Sequence, residues 1–316
     1  PVNDHRLLLG PGIGRDAAVI SLGGACLIAK TDPITFATDE IGWYAVHVNA
    51  NDIACMGGQP KWFLACVLLP QDSATEELAS HIHNSILDAC AELNVSLAGG
   101  HTEITWGLDR PIVIGQMLGE APSAKVVTGA SLAPGARLLL AKGIAIEGTS
   151  IIARERGQSL AGLAAPDLLR RAAGFLRQPG LSVVAQAMAA VAGPGVLAMH
   201  DPTEGGLASG AWEMARRAGL GLRVRLDRIC VYEETRVLAQ ALNLDPLGLI
   251  ASGALLIAAQ PDHSDNIRRR VEATGVPCAD IGELRPAAEG FTMETSDGPR
   301  PWPSFERDEI ARLFSS

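Results

Sequence analysis

The sequence predicts an α+β protein of two domains, and three observations lead to this fold class. Hydrophobic residues make up 47% of the 316 residues and charged residues 19%, which is enough apolar material for a sizeable core. The apolar runs of the first 120 or so residues follow the order βββαβαββ, which suits an α+β domain better than a regular βαβ array. A stretch rich in Gly, Pro and Ala then separates the halves, so we expect domains at 1–135 and 136–316.

The elements of the first domain are read from apolar runs and the breakers between them. Two short runs within residues 17–38, separated by Gly23-Gly24, predict a hairpin. A helix over 40–56 ends at Gly57-Gly58, and a second helix over 74–93 ends at Asn94. Three further strands are predicted at "KWFLACVLL", "VSLAGG" and "PIVIGQMLG".

The second domain also alternates between strands and helices. It begins with the strand of "ARLLLAKG". The predicted helices cover 149–157, 165–177, 181–192, 233–243 and 263–274. The predicted strands cover 196–199, 221–226, 253–259, 278–284 and 290–294.

Composition excludes several classes of partner. The net charge is −9, and the only basic triplet, at 268–270, lies on a predicted helix as a solvated face, so we expect no nucleic-acid binding. Apolar runs such as 63–69 are too short to span a membrane, and the N-terminal residues lack a signal-peptide pattern. Six scattered cysteines without C-x-x-C are typical of core residues in a reducing cytosol, so we expect a cytoplasmic protein without structural zinc.

One segment, "VLAMHDPTEGGLASGAWEMARRAG" at 196–219, places a polar cluster between a strand and a helix. Thr203 can cap that helix, and Glu204 suits its first turn. Gly205-Gly206 would let a ligand approach the backbone, where free N–H groups bind anions. Carboxylates beside an anion site indicate a cation between them, which suggests Mg²⁺ and a polyphosphate. When these residues are taken alone, an ordinary capped turn is the more common explanation of them.

Four more segments combine acidic residues with glycines or strand ends: "GPGIGRDAAVI" (10–20), "AKTDPITF" (29–36), "VNANDIACMGG" (48–58) and "LAGGHTEIT" (97–105). Each alone is typical of a turn or a helix cap. Together they supply the carboxylates, amide and backbone N–H groups that hold Mg²⁺–nucleotide phosphates. Asn49 and Asp52 lie one helical turn apart, on one face. A P-loop and the protein-kinase motifs are absent from the sequence.

In this order and spacing, these segments together with "HDPTEGGL" resemble the superfamily of aminoimidazole ribonucleotide (AIR) synthetase, thiamine-monophosphate kinase and the hydrogenase maturation factor HypE. The resemblance runs from about residue 9 to 285. Within the superfamily, "KGIAIEGTSIIARE" and "HDPTEGGLASGAWEMA" look most like HypE and its AIR synthase-related relatives.

The resemblance implies a fold, a ligand and an assembly. The fold is that of AIR synthetase, with an N-terminal domain that forms a homodimer through a shared β-barrel and a C-terminal α/β domain. ATP would lie in a cleft near the dimer interface with Mg²⁺ at its phosphates. A maturation partner protein is implied as well. The common chemistry is ATP-dependent phosphorylation of an amide or carbonyl oxygen, which makes that oxygen a good leaving group.

The resemblance also assigns roles by motif position. The implied metal ligands are Asp16, Asp32, Asp52, Glu103 and Asp201. The implied ATP-binding residues are Gly12, Gly14, Asn49, Gly99, Gly100, Thr102, Gly205 and Gly206. The implied catalytic residues are His101 and Glu204, and Glu204 is either a metal ligand or the base that accepts a proton from the acceptor.

Two departures from the family pattern leave three interpretations open. Arg15 stands where the family often has an acidic residue, and it could contact a phosphate instead. The chain ends in "ARLFSS", whereas HypE ends in Pro-Arg-Ile-Cys, so we expect no thiocyanate on this tail. The leading interpretation is a HypE-like ATP-dependent enzyme whose acceptor the sequence does not identify. The alternatives are a small-molecule kinase like thiamine-monophosphate kinase and a nucleotide-binding partner protein without turnover.

Overall fold

The computed structural model describes residues 4–35, 37, 39–157, 159–160 and 162–314. The chain divides into two compact units. The first comprises residues 1–11 and 15–126, and the second comprises residues 12–14 and 127–316. No helix among the described residues is both long and apolar enough to cross a membrane.

The first unit follows the predicted order βββαβαββ. Its elements are β1 (Leu7–Leu9), β2 (Ala18–Ser21), β3 (Ala25–Ile34), α1 (Ile41–Cys55), β4 (Gln59–Pro70), α2 (Glu76–Leu93), β5 (Ser96–Thr105) and β6 (Ile112–Pro122). The predicted hairpin is the β2–β3 pair. Two positions at the end of that predicted segment, 36 and 38, lie outside the described residues. The segments named for the first strands began at 17, so β1, the first strand of this order, had no predicted segment.

The first unit contains a six-stranded sheet in the order β1-β2-β3-β6-β4-β5. Its pairs are antiparallel except β4 with β5, which run parallel. One row of paired residues crosses four strands, from Asp32 on β3 through Gly115 and Ala65 to Gly100 on β5. Directly paired residues point to the same face of the sheet, so this row shows which residues of the four strands share a face.

Helix α1 is buried along all 15 of its residues, because β3 and β6 lie against it on one side and α2 on another. It has little amphipathic pattern for that reason. Gly57 adopts a left-handed φ of 79° directly after it, as expected for a helix terminator. Helix α2 is capped at its N-terminus by Thr75, whose hydroxyl accepts the N–H of Leu78. Its C-terminal cap is the left-handed Asn94. Both predicted helices are therefore confirmed.

The second unit contains a seven-stranded sheet in the order β13-β12-β9-β11-β7-β10-β8. Its strands and helices are β7 (Arg137–Ala141), α3 (Ile146–Arg156), α4 (Pro166–Ala173), α5 (Val184–Ala190), β8 (Val196–His200), α6 (Gly206–Arg217), β9 (Gly221–Arg225), α7 (Glu233–Leu242), β10 (Leu255–Ala259), α8 (Ser264–Glu272), β11 (Cys278–Arg285), β12 (Phe291–Thr295) and β13 (Gly298–Pro301). Leucines and alanines from β7, β10 and α6 form much of its core.

Three local expectations in the second unit differ from the structure. The predicted helix over 165–177 divides into α4 and a short 3₁₀ turn over Gly174–Leu176, where the N–H of Arg177 bonds to the carbonyl oxygen of Gly174, three residues back. Strand β13 was not predicted, since Pro299 and Pro301 argue against a strand, and both lie on an edge strand. The cap of α6 is Gly205 and not Thr203, so Glu204 precedes the helix.

Candidate active site

Three charged side chains of the first unit meet between β3 and α1. The ammonium group of Lys30 lies 2.8 Å from Oδ2 of Asp52 and 3.2 Å from Oδ2 of Asp32. The Asp52 side chain is 4% exposed, whereas those of Lys30 and Asp32 are 21% and 30% exposed. The cluster is therefore anchored at a buried carboxylate and opens to solvent at its other end.

Local structure explains why these side chains meet. Lys30 and Asp32 are two positions apart on β3, so strand alternation places both on the face covered by α1. Asn49 and Asp52 lie three positions apart on α1, on its side toward β3. The prediction that Asn49 and Asp52 lie one helical turn apart on one face agrees with these contacts.

The pKa values in this cluster reflect burial opposed by the ion pair. Burial raises the pKa of Asp52 above its usual range, the charge of Lys30 opposes that rise, and the nearby carboxylates of Asp16 and Asp32 add to it. Burial alone would lower the pKa of Lys30, but Asp52 and Asp32 outweigh burial and raise it. Lys30 is thus held as a cation among carboxylates.

Asn49 adds a polar group beside this cluster. Its Nδ2 donates to the main-chain oxygen of Ala45 at 2.9 Å and makes a longer contact of 3.4 Å with that of Asp32. Its Oδ1 is buried without a hydrogen-bond partner among the described residues. Gly115 leaves room for the amide, since a Cβ at that position would overlap Nδ2. The unpaired Oδ1 is an acceptor available to a ligand.

The β5 residues assigned to the same site lie elsewhere within a single copy of the chain. Gly100 is in the row of Asp32 but three strands away, which is about 14 Å at ordinary strand spacing. His101 and Glu103 alternate with it and so extend from the opposite face of the sheet. Both are exposed, with His101 Nε2 3.7 Å from Glu103 Oε2. Their assignment to one site with Asp32 remains a prediction.

A cavity of about 280 Å³ lies beside these β5 residues, between α2 and the β4–β5 pair. Gly99, Gly100 and Thr102 line it together with apolar side chains of α2 such as Ile82 and Ile86. Gly100 permits the close approach of β5 to β4, because a Cβ there would overlap the carbonyl oxygen of Ala65. The cavity is mostly apolar, and its polar side chains are those of His83, His101 and Thr102.

The glycine segment before β2 contains the remaining N-terminal candidates. Gly14 has a left-handed φ of 63°, and its carbonyl oxygen accepts a hydrogen bond of 2.6 Å from Arg217. Gly12 is exposed. Arg15 donates to the carbonyl oxygen of Gly10 at 3.0 Å, so its guanidinium has a neighbour within the chain. The phosphate contact suggested for Arg15 stays a prediction.

In the second unit, Asp201 follows directly after β8 and is almost fully buried. Its Oδ1 accepts the backbone N–H of Gly253 at 3.1 Å. Lys142 is buried nearby and donates to the carbonyl oxygens of Gly180 at 2.8 Å and Ser182 at 2.7 Å. Burial lowers the pKa of Lys142 to about 8, and the charge of Asp201 opposes that change. Asp201 therefore lies in a polar network built largely from backbone groups.

The turn from β8 to α6 is capped by a residue more than 100 positions away. The N–H of Gly205 donates to Oδ2 of Asp308 at 2.7 Å, and the N–H of Gly206 donates to the carbonyl oxygen of Thr203 at 3.0 Å. Both glycines adopt left-handed φ values, of 74° and 60°. These two N–H groups, which the sequence assigns to a phosphate, are thus engaged within the chain. Glu204 is exposed.

Magnesium prefers several oxygen ligands around one point. The described part of the chain contains no group of three or more His, Cys, Asp or Glu side chains arranged to hold a metal ion. At the Asp32–Asp52 pair, a lysine ammonium already contacts both carboxylates. These two residues therefore do not fit a divalent ion as they stand.

The sequence reasoning missed Lys30, Lys142 and Asp308. Lys30 carried a usable signal, since a lysine two positions before Asp32 in a strand must share its face. Lys142 and Asp308 carried none, because their partners are 38 to 103 positions distant.

The fold is that of a two-domain AIR synthase-type protein. The model of the AIR synthase related protein N-terminal domain matches residues 14–121, and that of the C-terminal domain matches residues 133–293. The chain therefore belongs to the AIR synthase related protein family.

Two curated relatives are similar over most of the chain. A putative hydrogenase expression/formation protein of Methanocaldococcus jannaschii is 25% identical over 294 residues, covering 90% of this chain and 84% of the relative. A carbamoyl dehydratase HypE of Azotobacter vinelandii is 28% identical over 293 residues, covering 90% and 82%. The latter relative is named as an enzyme.

Solved structures share the fold. A HypE–HypF complex matches with a TM-score of 0.76 and 20% identity over 93% of both chains. HypE in complex with ATP matches with a TM-score of 0.76 and 22% identity over 93% of this chain and 89% of that one. Thiamine monophosphate kinase from Aquifex aeolicus matches with a TM-score of 0.70 and 15% identity over 88% and 91%. The predicted AIR synthetase-like fold is confirmed.

Proposed function

We propose that this chain is a HypE-like, ATP-dependent enzyme that activates an amide or carbonyl oxygen by phosphoryl transfer. The observation that carries the proposal is the cluster of Lys30, Asp32, Asp52 and Asn49, which combines charged groups with an unpaired buried acceptor. This cluster occurs in a chain that matches the AIR synthase family in both domains. The relative named carbamoyl dehydratase and the HypE structure with ATP support the choice of reaction and nucleotide.

For a carbamoyl acceptor, the reaction balances as a dehydration driven by ATP. The carbonyl oxygen attacks the γ-phosphorus of ATP and ADP leaves. The nitrogen then loses its two protons, the C–N bond becomes triple, and the phosphorylated oxygen departs as inorganic phosphate. Glu204 is exposed and is our candidate for the base that accepts a proton. Mg²⁺ would accompany the nucleotide and neutralise phosphate charge, and Asp201 is our candidate for its ligand.

We propose that two copies form a homodimer through β5. This strand is the last of its sheet, and it leads to exposed apolar side chains, with Ile104 61% and Trp106 83% exposed. An uncovered edge strand of this kind favours pairing with another chain. A second copy would also supply β5 residues to a site that one copy cannot assemble over about 14 Å. A maturation partner protein is proposed by analogy with the HypE–HypF complex.

The experiment is ADP formation by the purified chain with Mg²⁺-ATP and a panel of carbamoyl, formyl-amide and alcohol acceptors. We expect a carbamoyl or amide compound to accelerate ADP formation well above hydrolysis without acceptor. Glu204→Gln should lower that rate, whereas the matched control Glu213→Gln on α6 should not. Acceleration by an alcohol alone would instead identify a small-molecule kinase. ATP binding without acceleration by any acceptor would identify a nucleotide-binding protein without turnover.

A further inference from the structure

The carboxylates of Asp32 and Asp52 already contact a cation of the same chain, the ammonium group of Lys30. We propose that the ammonium group of Lys30 takes the place of a divalent metal ion at these two carboxylates and presents its charge to the phosphates of the nucleotide. The resemblance assigns Asp32 and Asp52 to a metal, so this proposal departs from what the resemblance implies.

The contacts of Lys30 exclude simultaneous bridging by a metal. Nζ is 2.8 Å from Asp52 Oδ2 and 3.2 Å from Asp32 Oδ2, so it lies within hydrogen-bond distance of both. Mg²⁺ requires oxygen ligands at about 2.0–2.1 Å in near-octahedral geometry. A metal ion that bridged these two oxygens would have to displace the ammonium group, and repulsion between the two cations opposes their coexistence.

The remaining capacity of Lys30 suits a phosphate. An ammonium group has three N–H donors, and the two ion-pair partners of Lys30, Asp52 and Asp32, take up at most two of them. At least one donor therefore remains without an ion-pair partner among the residues that the structure describes. The side chain is 21% exposed, so this donor can reach a ligand from solvent. Lysine binds phosphate as a point charge, which gives Lys30 a role without a bridging metal.

This inference rests on the proposed function only for its nucleotide part, because the replacement of the metal concerns the protein alone. The first experiment therefore omits nucleotide. The number of Mn²⁺ ions bound per chain is measured by electron paramagnetic resonance for the wild type, Lys30→Met, Asp52→Asn and the double variant. Mn²⁺ serves as a visible substitute for Mg²⁺. Lys61→Met is the matched control, since Lys61 is a lysine on β4 of the same sheet.

We expect Lys30→Met to bind one Mn²⁺ more than the wild type, and the double variant to lose that ion again. Asp52→Asn and Lys61→Met should bind the same number as the wild type. The melting temperature of Lys30→Met should fall by about 10 °C without Mn²⁺, as for an unpaired buried charge, and should recover when Mn²⁺ is added. These results together would support Lys30 as the resident cation.

The proposal is overturned if Asp52→Asn binds fewer Mn²⁺ ions than the wild type, because Asp52 would then hold a metal beside Lys30. It is also overturned if folded Lys30→Met gains no ion. If circular dichroism shows that Lys30→Met does not fold, the comparison of the wild type with Asp52→Asn decides alone. An unchanged count then supports the proposal, and a lower count refutes it.

A second measurement addresses the nucleotide. Calorimetric ATP affinity in excess EDTA should fall at least tenfold in Lys30→Arg, which keeps the charge but replaces the compact ammonium group by a planar guanidinium. Equal affinity in the wild type and Lys30→Arg would remove Lys30 from the phosphate site. A wild type that binds no ATP with or without Mg²⁺ would refute the proposed function instead, while the Mn²⁺ counts still decide the replacement of the metal.

Discussion

Asp308 ties the C-terminal segment to the turn before α6, and its removal makes a sharp test of the electrostatics there. Oδ2 accepts the N–H of Gly205 at 2.7 Å, and Oδ1 accepts that of Ile310 at 2.8 Å. The residue is 7% exposed. Burial raises the pKa of Asp308 from 3.8 to about 6 against these hydrogen bonds, and the charge of Glu204 adds to the rise. The perturbation is Asp308→Asn, which removes the charge and keeps the size.

The sign of the effect follows from proton binding. Between pH 4 and 6 the folded state holds more protons at Asp308 than the unfolded state, so this group makes stability fall as pH rises. The two pKa values give a loss of about 2 kcal/mol between pH 4.5 and 7 in the wild type. Asn cannot titrate, so the variant lacks this loss. The stability of Asp308→Asn relative to the wild type should therefore rise by about 2 kcal/mol over the same interval.

The assay is urea unfolding of both proteins at pH 4.5 and 7, because other titrating groups cancel in the difference. In Asp308→Asn, the side-chain amide places an N–H donor opposite a backbone N–H donor. This lowers stability by about 1–3 kcal/mol at both pH values, so it does not affect the change in stability with pH. Asp262→Asn at an exposed position is the matched control and should show no trend. A difference for Asp308→Asn that is constant with pH, or that falls as pH rises, would refute the reasoning.

Three further predictions concern turnover, sheet pairing and assembly. If Glu204 is the base, Glu204→Gln leaves calorimetric ATP affinity nearly unchanged and lowers kcat by about 10²- to 10⁴-fold. If Glu204 is a metal ligand, the same substitution weakens ATP affinity and Mg²⁺ dependence together. Unchanged ATP affinity and unchanged kcat would leave Glu204 without a role. Gly100→Ala should lower the free energy of unfolding by about 3 kcal/mol in urea titrations, because the added Cβ overlaps Ala65. Gly24→Ala is the control and should have little effect, because a Cβ there meets no atom within 4 Å. Equal effects of the two substitutions would contradict the close approach of β5 to β4. Trp106→Glu should convert a dimer to a monomer in sedimentation at micromolar concentration, and a monomeric wild type would exclude the β5 interface.

The fold could be predicted from the sequence where local signals delimit each element. Asn94 and Gly57 adopt the left-handed conformations that terminate α2 and α1, and their residue types indicate this directly. The partner strands of β3 and β5 could not be predicted, because pairing depends on contacts between distant residues. For the same reason, the 14 Å separation between Asp32 and Gly100 became visible only in the sheet order.

The acidic motifs named Asp32, Asp52 and Asp201 as site residues, and their roles stay a prediction. The sequence interpretation did not include the positive charge beside the first two, although strand alternation places Lys30 on the face of Asp32. The cap at Gly205 was assigned to a phosphate, because a carboxylate 103 positions away leaves no trace in the local sequence.

Isotope transfer would reveal whether ATP phosphorylates the carbonyl oxygen of the acceptor. The chain is incubated with Mg²⁺-ATP and an S-carbamoyl cysteine peptide that carries ¹⁸O in its carbonyl group, and the released phosphate is analysed by mass spectrometry. If the carbonyl oxygen is phosphorylated, each inorganic phosphate carries one ¹⁸O atom and the peptide has lost that oxygen. Phosphate without ¹⁸O, beside an unchanged peptide, would contradict phosphorylation of that oxygen.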